Sequence, residues 1–181
     1  MALNKDWQLF LEENRTLISE YNRKIQEDNK AKSELVKRMA EKLQKRIDNE
    51  VTHLPTRAYT YGVQSFAPHI SLVIDITVDD GTTVCIEPYF KKLSGTFEEY
   101  QHMGIFYVTI WVREKEKRSS YLDWVEEILD GNIEDSDSHI IRRKYKDWGE
   151  CIELKQFDFS KDIDEEALED FIYSIWQVIA I

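Results

Sequence analysis

Glycine and cysteine are both scarce in this sequence. Its 181 residues include six glycines, and none of them forms the glycine-rich loop with which many enzymes cradle phosphate groups. The only two cysteines, Cys85 and Cys151, fall in strand-like segments. A secreted domain of this size that depended on disulfides would contain more cysteines, so we expect a reducing, cytoplasmic location. These shortages exclude phosphate-loop enzymes and disulfide-stabilised secreted domains.

Long apolar runs are also missing. No stretch approaches the ~18 consecutive apolar residues of a membrane-crossing helix. The first residues, "MALNKDWQLFLEEN", lack the basic flank and unbroken apolar segment of a secretory signal. We therefore expect a soluble protein without membrane association.

Histidine offers no recognisable metal site. None of the four histidines lies near a cysteine at ligand spacing, and "DSDSH" at 135–139 lacks the glycine and final glutamate of a calcium loop. The histidines are His53, His69, His102 and His139. We expect no cofactor from these residues.

Basic residues are outnumbered. The chain has 24 Lys and Arg against 35 Asp and Glu, a net charge of −11. This balance disfavours nucleic acid and anionic membranes as direct ligands, because both reward positive charge. An acidic surface suits a basic protein partner, including one that itself holds DNA, although solubility alone explains the charge equally well.

The first fifty residues contain neither glycine nor proline and are rich in helix-forming residues. A stripe of mainly apolar residues recurs there at alternating spacings of four and three, as in a coiled-coil seam: Trp7, Leu11, Asn14, Ile18, Tyr21 and Ile25. The stripe stops between Gln26 and Glu34 and resumes at Leu35. Two structures fit this gap: a helical hairpin turning at Asp28–Asn29, or one continuous helix. We favour the hairpin, because Asn29 is a good cap for a second helix.

The pattern changes to strict alternation after residue 53, which indicates strands. Residues 70–78 and 82–89 flank Asp79-Asp80-Gly81, which predicts a hairpin that pairs Ile76 with Val84 and Ile74 with Ile86. A further strand follows at "MGIFYVTIWVRE" after a link too short for a full parallel crossover. An antiparallel meander is therefore expected.

The last third of the chain predicts a helix near residues 120–131, a strand pair and a C-terminal helix. The pair joins residues 140–145 to "ECIELKQF" at 150–157. The C-terminal helix is apolar to its end, so we expect it to dock on the sheet or on another subunit. Homodimerisation through residues 1–50 or through this helix is accordingly one expectation.

The predicted fold class is α+β. We expect an N-terminal helical arm or hairpin over residues 1–52 and an α+β domain over residues 53–181. The domain combines an antiparallel sheet of about four to six strands, built from hairpins and a meander, with helices packed on it.

Acidic residues on strands raise the question of metal-dependent chemistry. Glu153-Leu-Lys155 has the acid-x-lysine form found in many nucleases, but too few elements follow it to complete such a core. Asp75 and Glu87 are the better pair, because the hairpin places them on one face about 7–8 Å apart, close enough to share Mg²⁺ or Mn²⁺. The order of elements here, a helix at residues 33–50, a strand at 57–63 and the two strands of the hairpin, resembles the core of PD-(D/E)xK nucleases. The resemblance does not include the motif lysine. Tyr89 stands at that position, and Lys91 is the nearest lysine on the same face.

One local basic cluster follows an acidic loop. It could contact phosphate and stack a base, dock an acidic partner, or pair with the preceding "EDSDS". We retain it as a candidate binding site, consisting of Arg142, Arg143, Lys144, Tyr145, Lys146 and Trp148.

Two functions follow from these observations. The leading hypothesis is a non-enzymatic, acidic protein-interaction module, an inhibitor or regulator that binds a basic protein such as one that handles nucleic acid, and that needs no cofactor. The alternative is a divergent PD-(D/E)xK-like nuclease with Asp75 and Glu87 as metal ligands, Lys91 as a third catalytic residue, and Mg²⁺ or Mn²⁺ as cofactor.

Overall fold

A computed structural model describes residues 5–63, 69–92, 104–132, 139–146, 149–159 and 165–181. Within these ranges the chain forms helices and one six-stranded antiparallel sheet, which confirms the α+β prediction. The elements are α1 Lys5–Glu13, α2 Arg15–Asp48, β1 Thr56–Val63, β2 His69–Thr77, β3 Thr83–Lys92, β4 Gly104–Val112, α3 Arg118–Asn132, β5 His139–Tyr145, β6 Gly149–Phe159 and α4 Glu165–Ala180.

The N-terminal helices do not form a hairpin. α2 runs without interruption through residues 28 and 29, so the turn predicted there is wrong. No glycine or proline interrupts this region, and good helix formers on both sides outweigh the preference of Asn29 for a cap. The junction of α1 and α2 at Asn14 also keeps helical hydrogen bonds, from the Asn14 N–H to the Phe10 carbonyl (3.0 Å) and from the Ile18 N–H to the Asn14 carbonyl (2.9 Å).

The two halves of this helical region differ in burial. From residue 35 to residue 48, which we call the anchored segment, the apolar residues are buried and α2 packs on β1 and β2: Leu35, Val36, Met39, Ala40, Leu43 and Ile47. From residue 5 to residue 34, which we call the arm, no side chain that the structure describes is fully buried. The anchored segment thus shares the core of the sheet, and the division at residue 52 stays a prediction.

The register of the sheet follows the predicted alternation. The strand order is β1-β2-β3-β4-β6-β5, and Ile74 pairs with Ile86 and Ile76 with Val84, which confirms the predicted hairpin. Gly81 adopts a φ of +81° in the turn, a conformation that glycine reaches without steric cost. β3 and β4 are antiparallel neighbours, so the meander is confirmed as well.

The outer edge of β1 is partly closed by the anchored segment. The backbone N–H of Ala58 donates to Oε1 of Gln44 at 2.6 Å. A side chain of α2 therefore satisfies a donor of β1, which is an edge strand among the strands that the structure describes.

α2, α3 and α4 pack on one side of the sheet and share a single core with its strands. Trp176 of α4 is fully buried there, and its indole N–H donates to the Thr56 hydroxyl at 3.2 Å. Arg46 of α2 binds Asp170 of α4 (2.7 Å) and lies over the ring of Tyr173 (3.8 Å to its centroid). The C-terminal helix thus docks on the sheet of its own chain.

Candidate functional site

The side of the sheet opposite the core carries the predicted acidic pair, and we call it the open face. We use this name because, within the described ranges, α2, α3 and α4 contribute their core residues to the other side only. The middle of the open face is nevertheless buried: Ser71, Val73, Cys85, Glu87 and Thr109 are each 8% exposed or less. The register places these residues on the open face: Arg57, Tyr59 and Tyr61 of β1; Ser71, Val73 and Asp75 of β2; Cys85, Glu87 and Tyr89 of β3; Thr109 and Trp111 of β4; Ile141, Arg143 and Tyr145 of β5; and Cys151 and Glu153 of β6.

Glu87 lies buried near the centre of the open face, with 3% of its surface exposed. The Tyr61 hydroxyl donates to Oε1 at 2.5 Å, and the Trp111 indole N–H donates to Oε2 at 3.3 Å. Burial, together with this hydrogen bond to Glu87, raises the pKa of Tyr61 well above its usual range. Tyr61 therefore remains a neutral donor, and both carboxyl oxygens of Glu87 have partners.

Asp75 is held by three donors. Arg113 binds Oδ2 at 2.7 Å, the Tyr59 hydroxyl donates to the same oxygen at 3.1 Å, and the Cys85 thiol lies 3.2 Å from Oδ1. Burial and the neighbouring carboxylate raise the pKa of Cys85 far above that of a free thiol. Cys85 thus stays a thiol that donates to Asp75, which is not the state of a nucleophile.

The sequence correctly places Asp75 and Glu87 on one face, since Asp75 pairs with Cys85 and Glu87 lies two residues further along β3. A divalent ion at this pair would compete with the Arg113 cation and with the hydroxyl, thiol and indole donors. No group of three or more His, Cys, Asp or Glu side chains in the described ranges is arranged to hold a metal. The side chain of Lys91 lies outside the described part of the structure.

The alternation of β5 divides the predicted basic cluster between the two sides of the sheet. Arg142 points to the helix side, where it binds Asp123 (3.0 Å), Glu126 (3.2 Å) and Glu150 (3.2 Å). Arg143 is on the open face and binds Glu153 at 3.1 Å.

The remaining cluster residues are partnered or peripheral. Lys144 lies 3.4 Å from Glu150 on the helix side, and the Tyr145 hydroxyl donates to Glu153. Lys146 is exposed in the turn after β5, and Trp148 lies outside the described residues. The "EDSDS" loop is also outside them, so the acids that pair with this cluster here come from α3 and β6.

The acid-x-lysine segment of β6 has an ordinary structural explanation. Glu153 binds Arg143 and Tyr145, while Ile152 and Leu154 on either side of it are fully buried in the core. The neighbouring Cys151 is buried on the open face, and burial together with the charge of Glu153 raises its pKa to about 11. The Lys155 side chain is outside the described part.

Sequence reasoning missed the aromatic character of the open face. Arg57, Tyr59 and Tyr61 occupy every second position of β1, and Trp111 lies on the same face three strands away, on β4. The alternation in "RAYTY" shows that Arg57, Tyr59 and Tyr61 share one face of β1. It does not show whether the helices cover that face or the opposite one. Among the described side chains of this face and its rim, three arginines balance three acids in formal charge: Arg57, Arg113 and Arg143 against Asp75, Glu87 and Glu153.

Comparison of the chain with protein-family models, with curated proteins and with solved structures found no match. Among the described helices, none combines the length and the apolar composition that crossing a membrane requires.

Proposed function

We propose that this chain is a non-enzymatic protein-interaction module, an inhibitor or regulator, and that the open face is its docking surface. The observation that carries the proposal is the composition of that face around its buried middle, where Tyr59, Tyr61, Trp111 and Tyr145 accompany three arginines and are all at least partly exposed. Tyrosine, tryptophan and arginine are enriched among the few residues that dominate binding energy in protein interfaces, because they combine a large apolar area with hydrogen-bonding groups.

The internal pairing of charges prepares this surface for docking. Asp75, Glu87 and Glu153 already accept hydrogen bonds from neighbours on the face. A partner that covers them leaves no newly unpaired carboxylate, which is otherwise the main cost of burying acids. Tyr61 and Tyr145 are 38% and 44% exposed, so aromatic surface is available at two separate points of the face.

The net charge of the chain supports a basic partner, such as a protein that handles nucleic acid. The described charges of the open face balance, so the net charge of −11 resides mainly elsewhere on the molecule. Such a field accelerates association with a positively charged protein, while the neutral face supplies the short-range contacts. The proposal places the protein in the cytosol, in keeping with its two free, buried cysteines.

The nuclease alternative makes an opposite prediction. A metal bound by Asp75 and Glu87 would raise the melting temperature in Mg²⁺ or Mn²⁺, and Asp75→Asn would abolish the rise. Because Arg113 already neutralises Asp75, the interaction module predicts no rise with either ion. A metal-dependent rise that Asp75→Asn removes would replace our proposal with the nuclease.

Charge reversal on the open face tests the docking surface itself. Arg57 is exposed, and the contact described for it is with the Tyr59 ring, 5.3 Å from its centroid. We expect Arg57→Glu to abolish recovery of the partner when the tagged chain is purified from its native cell. Lys37→Glu makes the same change in charge on the exposed side of α2 and should leave recovery unchanged. Equal recovery with both variants would remove the open face from the proposal.

A further inference from the structure

The arm carries exposed apolar side chains between residues 9 and 21. Leu9, Phe10, Leu17 and Tyr21 are 57%, 47%, 64% and 40% exposed. At a rise of 1.5 Å per residue, the thirty residues of the arm extend about 45 Å. A helix with so much exposed apolar surface gains stability when another surface covers it.

The arm repeats the apolar face of the anchored segment. Eighteen residues make about five turns of an α-helix, so residues that far apart point in the same direction. The arm has apolar residues at this distance before four buried positions of α2: Leu17 before Leu35, Ile18 before Val36, Tyr21 before Met39, and Ile25 before Leu43. Met39 is 2% exposed beneath the sheet, whereas Tyr21 is 40% exposed. The arm thus presents a second copy of a face that elsewhere in α2 is covered.

The seam favours pairing with itself in the antiparallel direction. Its positions run from Trp7 to Ile25 and are symmetric about residue 16, so an antiparallel copy matches every layer of the seam. The next positions in the same spacing are Asp28 and Lys32. A parallel pair would set each of these charges against its own copy, whereas an antiparallel pair leaves them beyond the seam.

The charge of the chain favours the same arrangement. The arm holds six basic and seven acidic residues, a sum of −1, so −10 of the net −11 belongs to the rest of the chain. Because of this charge, the parts of two chains outside their arms repel each other when they lie side by side. An antiparallel pair places the two copies of residue 35 about 55 Å apart, well beyond the ~8 Å screening length at physiological salt.

We propose that the arm pairs with the arm of a second copy of this chain as an antiparallel two-stranded coil. Phe10 and Tyr21, which are 47% and 40% exposed, supply aromatic surface to this contact. The contact is isologous, as two-fold dimers require. It leaves both open faces available, so it stands independently of the function proposed above.

Sedimentation equilibrium of the full chain tests the pairing. We expect a dimer for the natural sequence and for Leu9→Glu, which lies opposite the seam. Leu17→Glu, beside the midpoint of the seam, should raise the dissociation constant at least about tenfold, because two carboxylates meet there. Both leucines are exposed, so both variants should keep the melting temperature of the domain that follows the arm, residues 35–181. A monomeric natural chain, or equal weakening by both variants, would overturn the proposal.

The direction of pairing is measured with a spin label on Glu34→Cys, an exposed position at the end of the arm. The antiparallel coil predicts about 55 Å between the two labels, whereas a parallel coil predicts about 20 Å or less. A single short distance would overturn the antiparallel arrangement. Cys85 and Cys151 are buried and do not compete for the label.

Discussion

At the scale of single residues, the open face is organised by two carboxylates with different neighbours. Glu87 is buried and accepts hydrogen bonds from the Tyr61 hydroxyl and the Trp111 indole. Asp75 is partly exposed and binds the Arg113 guanidinium in addition to the Tyr59 hydroxyl. The sequence predicts that the two acids share a face, because alternation is a local property. It does not predict Arg113 or Tyr59 beside Asp75, since they come from residues 38 and 16 positions away.

Removal of the Tyr61 hydroxyl tests the hydrogen bonding of Glu87. We expect Tyr61→Phe to lower the free energy of unfolding by about 1–3 kcal/mol, because a buried carboxyl then loses its shortest hydrogen bond. Tyr59→Phe is the matched control and should cost less than about 1 kcal/mol, since Arg113 still binds Asp75. Urea unfolding of both variants provides the measurement, and equal losses would contradict this account.

The buried thiols give a prediction on pH. The pKa of Cys151 is raised from 9.0 to about 11, so at pH 8 the native chain holds about 100-fold less thiolate at this position than the unfolded chain. Because the folded state keeps its proton longer, Cys151 stabilises the fold below pH 9, and this contribution is lost as pH rises from 9 to 11. Ellman's reagent at pH 8 should react slowly with the native chain and rapidly in denaturant. Rapid reaction of the native chain would show that the thiols are accessible.

At the scale of elements, local patterns predicted the strands better than the long helix. The hairpin of β2 and β3 has alternating residues and an Asp-Gly turn within residues 69–92, so nearby sequence determines its register. The turn predicted at residues 28–29 was wrong because a capping preference of one residue competes with helix propagation on both sides. The basic cluster was contiguous in sequence, yet the two-residue period of β5 divides it between two surfaces.

The division of the helical region into arm and anchored segment predicts unequal responses to the same substitution. Leu43→Ala removes a fully buried side chain from the core and should cost about 2–5 kcal/mol. Leu17→Ala, at a 64% exposed position, should change stability by less than about 0.5 kcal/mol in dilute solution, where arms do not pair. Denaturant unfolding at low protein concentration compares the two, and a comparable loss for Leu17→Ala would place the arm within the core.

At the scale of the whole molecule, one core joins the anchored segment, the sheet, α3 and α4. We therefore expect a chain of residues 35–181 to melt cooperatively near the temperature of the full chain. A chain of residues 53–181 should lose that transition, because it lacks the six buried residues that cover β1 and β2. Differential scanning calorimetry of both truncations gives the answer. A cooperative, equally stable chain of residues 53–181 would instead support the division at residue 52.

The hydrogen bond from Ala58 to Gln44 has a consequence for behaviour at high concentration. An unpaired edge strand is a template on which other chains add strands and start aggregates. Here a side chain of α2 occupies a β1 donor, and the opposite edge strand, β5, carries the charges of Arg143 and Lys144. We therefore expect the edge strands at both ends of the sheet to resist the addition of strands from other chains.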